Sequence, residues 1–249
     1  MVTILAALVT FIFTVALTIA GVGAAFILIP TFDALGIPLR EAMSTALLLN
    51  SIAMVFASAR YARKGLVVFK TAIPILIVAT ALSPLGAYTA QFLPVRTLRI
   101  FFIGFLLFAA YMMLFYRPKG KEERENISEG RLISYGGSVG AIAGFTGGLL
   151  GVGGGNIIVP VLIWLGFNPK KASATTSFIV IFSSFSGFLG HATIGEVNWV
   201  LLSATAIGSI GGAILGSYFM TEKLNRSQVK MIIGIILLGI AGKMLYGLI

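Results

Sequence analysis

The sequence contains no cysteine, only one histidine and few charged residues, which make up 10% of its 249 positions. Without cysteine, the chain can form neither disulfides nor thiolate metal sites. Asp33, Glu41 and Glu196 are expected near helix ends, where they cannot assemble a metal cluster, a carboxylate pair or a nucleophilic triad. We therefore predict that the protein is not an enzyme and has no metal and no other cofactor.

The scarcity of charge also excludes a soluble domain, because such domains carry roughly a quarter charged residues. Hydrophobic residues make up 58% of the chain and the mean hydropathy is +1.02. Apolar runs with helical periodicity recur along the sequence, and several could cross a hydrocarbon core of roughly 30 Å. We predict an all-α integral membrane protein with about eight to ten membrane helical segments. The net charge of +10 lies mostly in short connections, so membrane lipids, and not nucleic acid, are the expected partner.

A decapeptide occurs twice, as 21–30 and, 130 residues later, as 151–160. An ungapped shift of 130 aligns residues 1–119 with 131–249, and 23 of the 119 pairs are identical, six of them glycine. Matches concentrated on the residue with the freest backbone indicate one fold built twice. We assign 1–116 to a first repeat, 117–131 to a linker and 132–249 to a second repeat.

The decapeptide predicts a broken helix. From Gly23 to the turn at 36–38 the chain has 13 residues, which as helix span roughly 20 Å, too short for a comfortable crossing. We predict a helix, a glycine-rich break and a half-helix whose N-terminus points inward, and the pattern leaves open whether this pair crosses fully or re-enters. Its freed N–H groups and helix dipole would form an anion site. The alternative is that the glycines only permit tight packing.

Hydroxyl and amide residues follow each break, on a helix predicted over 40–60 and on its counterpart. Such groups can donate hydrogen bonds to an oxyanion without burying charge, although back-bonding within the helix is an alternative use. The candidate substrate-binding residues are Gly21, Gly23, Thr45, Asn50, Ser51, Gly151, Gly153, Gly154, Gly155, Asn156, Thr175, Thr176 and Ser177. His191 is expected in an outer loop.

Small residues recur at every fourth position in both repeats, and such stripes allow helices to approach closely in lipid. We expect the stripe at Ala6, Thr10, Thr14 and Thr18 to face its counterpart at Gly136, Gly140, Gly144 and Gly148. A further stripe, at Gly208, Gly212 and Gly216, permits a homodimer or packs within one protomer.

Charge distribution predicts that the repeats are inverted. Residues 60–70 carry four cations, whereas the corresponding loop 190–196 carries one carboxylate and the histidine. Loop 168–171 is basic and its partner in the first repeat is not. By the positive-inside rule, corresponding loops then lie on opposite faces, with both termini outside and 117–131 in the cytoplasm. Arg96 and Arg99 are a contrary sign, since this topology places them outside.

Two inverted repeats with broken helices are typical of secondary transporters. The GxGGGxxxxP element at 151–160, the following Ala172-x-x-Thr175-Thr176-Ser177 and the degenerate first copy with Ala42-x-x-Thr45 resemble the sulfite exporter TauE/SafE family over essentially the whole chain. The first copy departs from the pattern at Ala24, Ala25, Phe26 and Ala46, which leaves the second half the more secure site.

The resemblance implies a multi-pass carrier in the bacterial cytoplasmic (inner) membrane. It would export a small sulfur-containing oxyanion, either sulfite or an organosulfonate such as sulfoacetate, by alternating access. The anion and the driving force stay open at this point. The alternatives of a different class are an anion channel and a non-transporting membrane scaffold.

Overall fold

The computed structural model describes residues 2–94, 129–193 and 199–246, together with residues 96, 97, 100, 103, 104, 107, 110, 111, 114 and 115. Most of the predicted linker 117–131 lies outside the described residues, as do Arg99 and Glu196. Within the described part, every regular element is a helix. The predicted all-α class is therefore confirmed, while the position of the linker stays a prediction.

The first repeat contains four described α-helices. They are α1 (Val2–Ala20), α2 (Ala25–Ala34), α3 (Leu39–Arg63) and α4 (Phe69–Thr89), which a short 3-10 turn at Ala90–Phe92 follows. The second repeat contains α5 (Glu129–Leu149), α6 (Gly155–Trp164), α7 (Pro169–Ala192), α8 (Trp199–Tyr218) with a π turn at Phe219–Lys223, and α9 (Arg226–Tyr246). The half-helices α2 and α6 begin and end 130 positions apart, so the same local structure has formed twice.

Among the described residues, four segments are long and apolar enough to cross a membrane, namely Glu41–Arg63, Phe69–Phe92, Pro169–Ala192 and Trp199–Lys223. Large apolar side chains stand on the outer surface of these helices, such as Ile77 (60% exposed) and Ile207 (78% exposed). Soluble monomers rarely expose extended apolar surfaces. The outer surface therefore suits lipid, as the composition predicts.

The equivalent helices α3 and α7 pack against each other in opposite directions. Ser51 Oγ donates a hydrogen bond to the carbonyl of Ile181, its own repeat counterpart, at 2.9 Å. On one side of this point Asn50 contacts Ser184, and farther along Leu47 lies 3.5 Å from the position of a Cβ on Gly187. Residue numbers thus fall along α7 as they rise along α3. Because the two helices are equivalents, the repeats have opposite orientation, as the charge pattern predicts.

The helix pairs α1 with α8 and α4 with α5 run parallel, in contact along glycine seams. A Cβ on Gly212 would lie 2.6 Å from the Phe11 carbonyl oxygen, and one on Gly140 would lie 2.7 Å from that of Ile75. Further contacts of the seams are Gly208 with Ala7, Gly216 with Val15, Gly144 with Ala79 and Gly148 with Ser83. The expectation that the Ala6–Thr18 stripe faces Gly136–Gly148 is therefore wrong. Each stripe packs on the fourth helix of the other repeat, and the Gly208–Gly216 face is covered by α1 within the chain.

The half-helix α2 doubles back on α1. Ser209 of α8 donates to the Leu49 carbonyl (3.2 Å), and farther along both helices Arg60 Nε donates to Thr221 Oγ1 (3.1 Å), so α3 runs parallel to α8 and therefore to α1. The chain must then return between the end of α1 and the start of α3. The ten residues of α2, about 15 Å of helix, provide that return. The α1–α2 unit, and with it the equivalent α5–α6 unit, is thus a re-entrant hairpin with the glycine break at its turn.

Candidate functional site

The two glycine breaks use a backbone conformation that suits only glycine. Gly21 and Gly23 have φ of 73° and 78°, and Gly151, Gly153 and Gly154 have φ of 70°, 73° and 76°. Other L-residues pay roughly 1–2 kcal/mol for this left-handed region. The predicted breaks are therefore present at both places, and the glycines are needed for the turn itself as well as for packing.

The two breaks meet inside the protein. A Cβ on Gly155 would lie 2.6 Å from the carbonyl oxygen of Val22, so backbone from one break touches backbone from the other. Residues 21–25 and 151–156 are all buried. Since α2 begins at Ala25 and α6 at Gly155, the N-termini of both half-helices point into this contact. We call the two breaks and the first turns of α2 and α6 the junction.

Asn50 lies at the junction between the two breaks. Its Oδ1 faces the α-carbon of Gly23, and its Nδ2 lies 3.2 Å from the position of a Cβ on Gly153. The same Nδ2 donates a hydrogen bond of 2.9 Å to Ser184 Oγ. Asn50 Oδ1 is buried and accepts no hydrogen bond from any residue that the structure describes. One amide side chain from the first repeat therefore contacts both copies of the decapeptide.

The first turns of the half-helices leave backbone donors without acceptors. Within the described part of the chain, the N–H groups of Ala25, Gly155 and Asn156 make no hydrogen bond, whereas Ile27 and Ile157 already donate to the carbonyls of Ala24 and Gly154. Gly154, the residue before α6, supplies no side chain to cap them. Unpaired N–H groups at a helix N-terminus carry the positive end of the helix dipole. The junction thus presents two sets of donors suited to an anion.

Asn156 adds an unpartnered amide to the second set. Its side chain is 2% exposed, yet neither Nδ2 nor Oδ1 has a hydrogen-bond partner within the described chain. The hydroxyls of Thr45 and Thr176 are also buried and have no partner among the described residues. A buried polar group left unpaired costs about 1–3 kcal/mol. Such groups in a native fold call for an explanation, of which a ligand is one.

Other predicted site hydroxyls already have structural partners. Thr175 Oγ1 accepts a hydrogen bond from the backbone N–H of Val68 (3.0 Å), in the loop before α4. Ser177 Oγ donates to the carbonyl of Ser173 one turn earlier (2.9 Å). Ser51 bonds to α7 as described above. Thr175 therefore holds the loop before α4, Ser51 joins α3 to α7, and Ser177 bonds within its own helix.

Three serines that were not among the predicted site residues contact the breaks. Ser173 Oγ donates to the Ala20 carbonyl (3.0 Å), beside Gly21, and Ser183 Oγ donates to the Gly153 carbonyl (2.8 Å). Ser184 contacts both Gly153 and Asn50. The repeat counterparts of these serines are Met43, Ala53 and Met54, so comparison of the repeats hides them. The sequence feature that could have identified two of them is the adjacent pair of hydroxyls, Ser183 and Ser184, within an apolar helix.

The expected outer-loop position of His191 is wrong. It lies in the last turn of α7, is buried, and has Nε2 2.9 Å from the Gly148 carbonyl near the end of α5. Its counterpart Tyr61 donates its hydroxyl to the Thr18 carbonyl near the end of α1, also at 2.9 Å. Different side chains at equivalent positions of α3 and α7 thus bind the end of the first helix of the preceding hairpin.

Fold and junction together define a multi-pass, all-helical membrane protein built from two inverted repeats whose re-entrant hairpins meet inside it. The family model described as Sulfite exporter TauE/SafE matches residues 6–244. The chain belongs to the TauE/SafE family.

Individual relatives extend this similarity over most of the chain. The probable membrane transporter protein YunE of Bacillus subtilis is 27% identical over 252 residues, which cover 92% of both chains. The probable membrane transporter protein MJ0441 of Methanocaldococcus jannaschii is 26% identical, over 89% of this chain and 87% of its own. The Sulfite exporter TauE/SafE family protein 3 of Arabidopsis thaliana is 48% identical over 59 residues, 24% of this chain and 12% of its own. No solved structure matches.

Proposed function

We propose that the protein is a secondary transporter that exports a small sulfur-containing oxyanion, sulfite or an organosulfonate such as sulfoacetate, by alternating access. The observation that carries the proposal is the meeting of two half-helix N-termini with unpaired N–H groups beside the unpartnered amide of Asn156. Helix N-termini that converge inside a membrane protein are used by transporters to bind anionic groups.

The donor chemistry favours an anion over a cation. Backbone N–H groups and the Nδ2 atoms of Asn50 and Asn156 can only donate, and glycine lets a ligand approach the backbone closely. In the proposed complex, Gly21, Gly23 and the glycines at 151–155 shape the turns. The two amides and the hydroxyls of Thr45 and Thr176 complete the set of hydrogen bonds. A site without charged groups suits a transported ion, because the transporter must bind the ion weakly enough to release it again.

The names of the family and of its relatives support the substrate class and the location. The matching family model is described as a sulfite exporter, and the Bacillus subtilis and Methanocaldococcus jannaschii relatives are named as probable membrane transporters. Four apolar spans and an apolar outer surface are consistent with a bacterial cytoplasmic membrane as the location.

Counterflow in proteoliposomes tests the proposal. Vesicles loaded with unlabelled sulfite or sulfoacetate should accumulate the labelled anion from outside, and protein-free vesicles should not. Thr176→Val, which removes a buried unpartnered hydroxyl while keeping its shape, should slow the accumulation. Thr89→Val is the matched control, since within the described residues that hydroxyl bonds to its own helix alone, to the Leu85 carbonyl, and the variant should behave as the wild type.

The same vesicles separate the other classes of function. Currents far above carrier turnover would indicate an anion channel. Absence of both accumulation and current for sulfite, sulfoacetate and sulfate would contradict transport and favour a scaffold.

A further inference from the structure

Basic side chains converge at one end of the bundle, where α3 ends and α7 begins. Arg60 Nη2 and Lys64 Nζ lie 3.5 Å and 2.7 Å from Glu222 Oε1 in the π turn after α8. Lys170 Nζ donates to the Thr221 carbonyl at 3.4 Å. Three cations from both repeats therefore surround one carboxylate and one carbonyl, which leaves two positive charges in excess. We call these four side chains the basic cluster.

The pairing inside the cluster leaves Arg60 and Lys170 able to take another acceptor. Arg60 is fixed by Thr221 Oγ1 on Nε and lies over the Tyr218 ring, 5.0 Å from its centroid, so its guanidinium is held in place while the contact with Glu222 is long. Lys170 has only a carbonyl oxygen as partner within the described chain. Both cations are partly exposed. A small oxyanion could thus contact both without displacing a helix.

The cluster lies next to the first glycine break. Tyr61, the residue after Arg60, donates to the Thr18 carbonyl, and Ser173, one turn after Lys170, donates to the Ala20 carbonyl beside Gly21. One helical turn is about 5 Å. An anion held by Arg60 and Lys170 would therefore be within a few residues of the break.

The fold itself does not require this cluster. The repeat counterparts of Arg60, Lys64 and Glu222 are Gly190, Ile194 and Phe92, and only Lys170 has a basic counterpart, Arg40. The equivalent helices thus form with glycine, isoleucine and phenylalanine at positions that cannot make these ion pairs. The basic cluster is therefore present at one end of the bundle and is not reproduced by the repeat at the other end.

We propose that Arg60, Lys64 and Lys170 form a second oxyanion site, which captures the anionic substrate before it reaches the first glycine break. Glu222 is its internal competitor and partly occupies the cations when no substrate is bound. The ligand class is a sulfite or sulfonate group. This inference rests on the proposed anion transport. It adds the residues that first bind the substrate, and it indicates that the substrate enters at the end of the bundle where α3 ends and α7 begins.

Charge-neutralising variants give effects of opposite sign. In counterflow with labelled sulfoacetate, Lys170→Gln should raise KM about three- to ten-fold and keep the maximal rate, because a rim charge acts mainly on capture. Glu222→Gln should lower KM, since it removes the competitor. Both effects should shrink at high ionic strength. Lys223→Gln is the matched control, because this neighbouring lysine is exposed and makes no hydrogen bond or ion pair within the described chain; its KM should not change.

Two results would overturn the capture site: a KM for Lys170→Gln equal to that of Lys223→Gln, or a raised KM for Glu222→Gln, which is the result expected if the ion pairs only hold the helices together. Vesicles of neutral phosphatidylcholine and vesicles with added phosphatidylglycerol distinguish substrate from lipid phosphate. An effect of Lys170→Gln that appears only with the anionic lipid contradicts substrate capture.

A binding measurement keeps this inference separate from the proposed transport. The melting temperature of the detergent-purified protein is measured against sulfoacetate concentration. If the wild type is stabilised and Lys170→Gln is stabilised less, the site stands even where counterflow fails. If neither is stabilised and neither transports, both proposals are wrong.

Discussion

Substitution of Gly155 by alanine tests whether contact between the two breaks is required for function. Gly155 has helical backbone at the start of α6 and does not use the left-handed region, so alanine there carries no backbone penalty. Its Cβ would, however, lie 2.6 Å from the carbonyl oxygen of Val22 and 2.9 Å from its Cα. The variant therefore changes the distance between the breaks and little else.

The size of the effect follows from the contact distance. Ordinary van der Waals contact begins at 3.4 Å, so the breaks must move apart by about 0.8 Å. Overpacking of this kind costs about 1–3 kcal/mol of unfolding free energy. A displacement of about 1 Å in a positioned site costs on the order of 100-fold in rate, so we expect counterflow to slow at least about tenfold.

Gly36→Ala is the control for this variant. Gly36 has φ of 84° and open space around it, so alanine there meets no neighbouring atom and should cost about 1–2 kcal/mol of stability through the backbone alone. Its transport rate per folded molecule should equal that of the wild type. Counterflow and melting temperature are measured on both variants. A Gly155→Ala protein that transports at the wild-type rate would refute the role of the junction.

Three further substitutions test separate parts of the structure. Asn156→Leu should abolish counterflow while the melting temperature holds or rises, because it removes an unpartnered buried amide worth about 1–3 kcal/mol; a clear loss of stability with normal transport would contradict the assignment. Asn50→Ala should lose about 1 kcal/mol with its bond to Ser184 and slow transport, measured by denaturation and counterflow together; unchanged transport would remove Asn50 from the site. Gly144→Val should destabilise the protein by more than about 3 kcal/mol through the α4–α5 seam, whereas Gly239→Val, in open space, should not change the melting temperature.

The local structure of the hairpins could be predicted because the same glycine-rich decapeptide occurs twice in the sequence. Glycines that recur at 21, 23, 151 and 153 mark positions with positive φ, and the short distance from each break to the next turn allows only a half-helix. The opposite orientation of the repeats could be predicted from the charges of corresponding loops. The contacts of Lys170 and Arg60 with Thr221 place the two basic loops at the same end of the bundle. Both inferences depend on comparing the two repeats in the sequence, and neither requires knowledge of which helices are in contact.

The partner of each helix could not be predicted in the same way. A stripe of small residues shows that another backbone approaches, but it does not specify which one. The Gly136–Gly148 stripe accordingly packs on α4 and not on α1. The predicted loop position of His191 was wrong for a related reason. Gly190 suggests a turn, yet α7 continues through it to Ala192. A Cβ on Gly190 would lie 2.9 Å from that of Ala87, so this glycine allows close packing against α4.

The glycine seams also limit how the centre can open. Each seam joins a helix of one repeat to a helix of the other, α1 to α8 and α5 to α4, with backbone against backbone. A rocking motion of one whole repeat against the other would separate both seams. The half-helix α6, in contrast, has its close contacts near its start, where Ser183 donates to the Gly153 carbonyl, Gly154 lies against the Ala143 carbonyl and Gly155 touches Val22. Displacement of the half-helices about their glycines breaks fewer close contacts, so we expect the re-entrant hairpins, and not the repeats, to be the moving parts of the transport cycle.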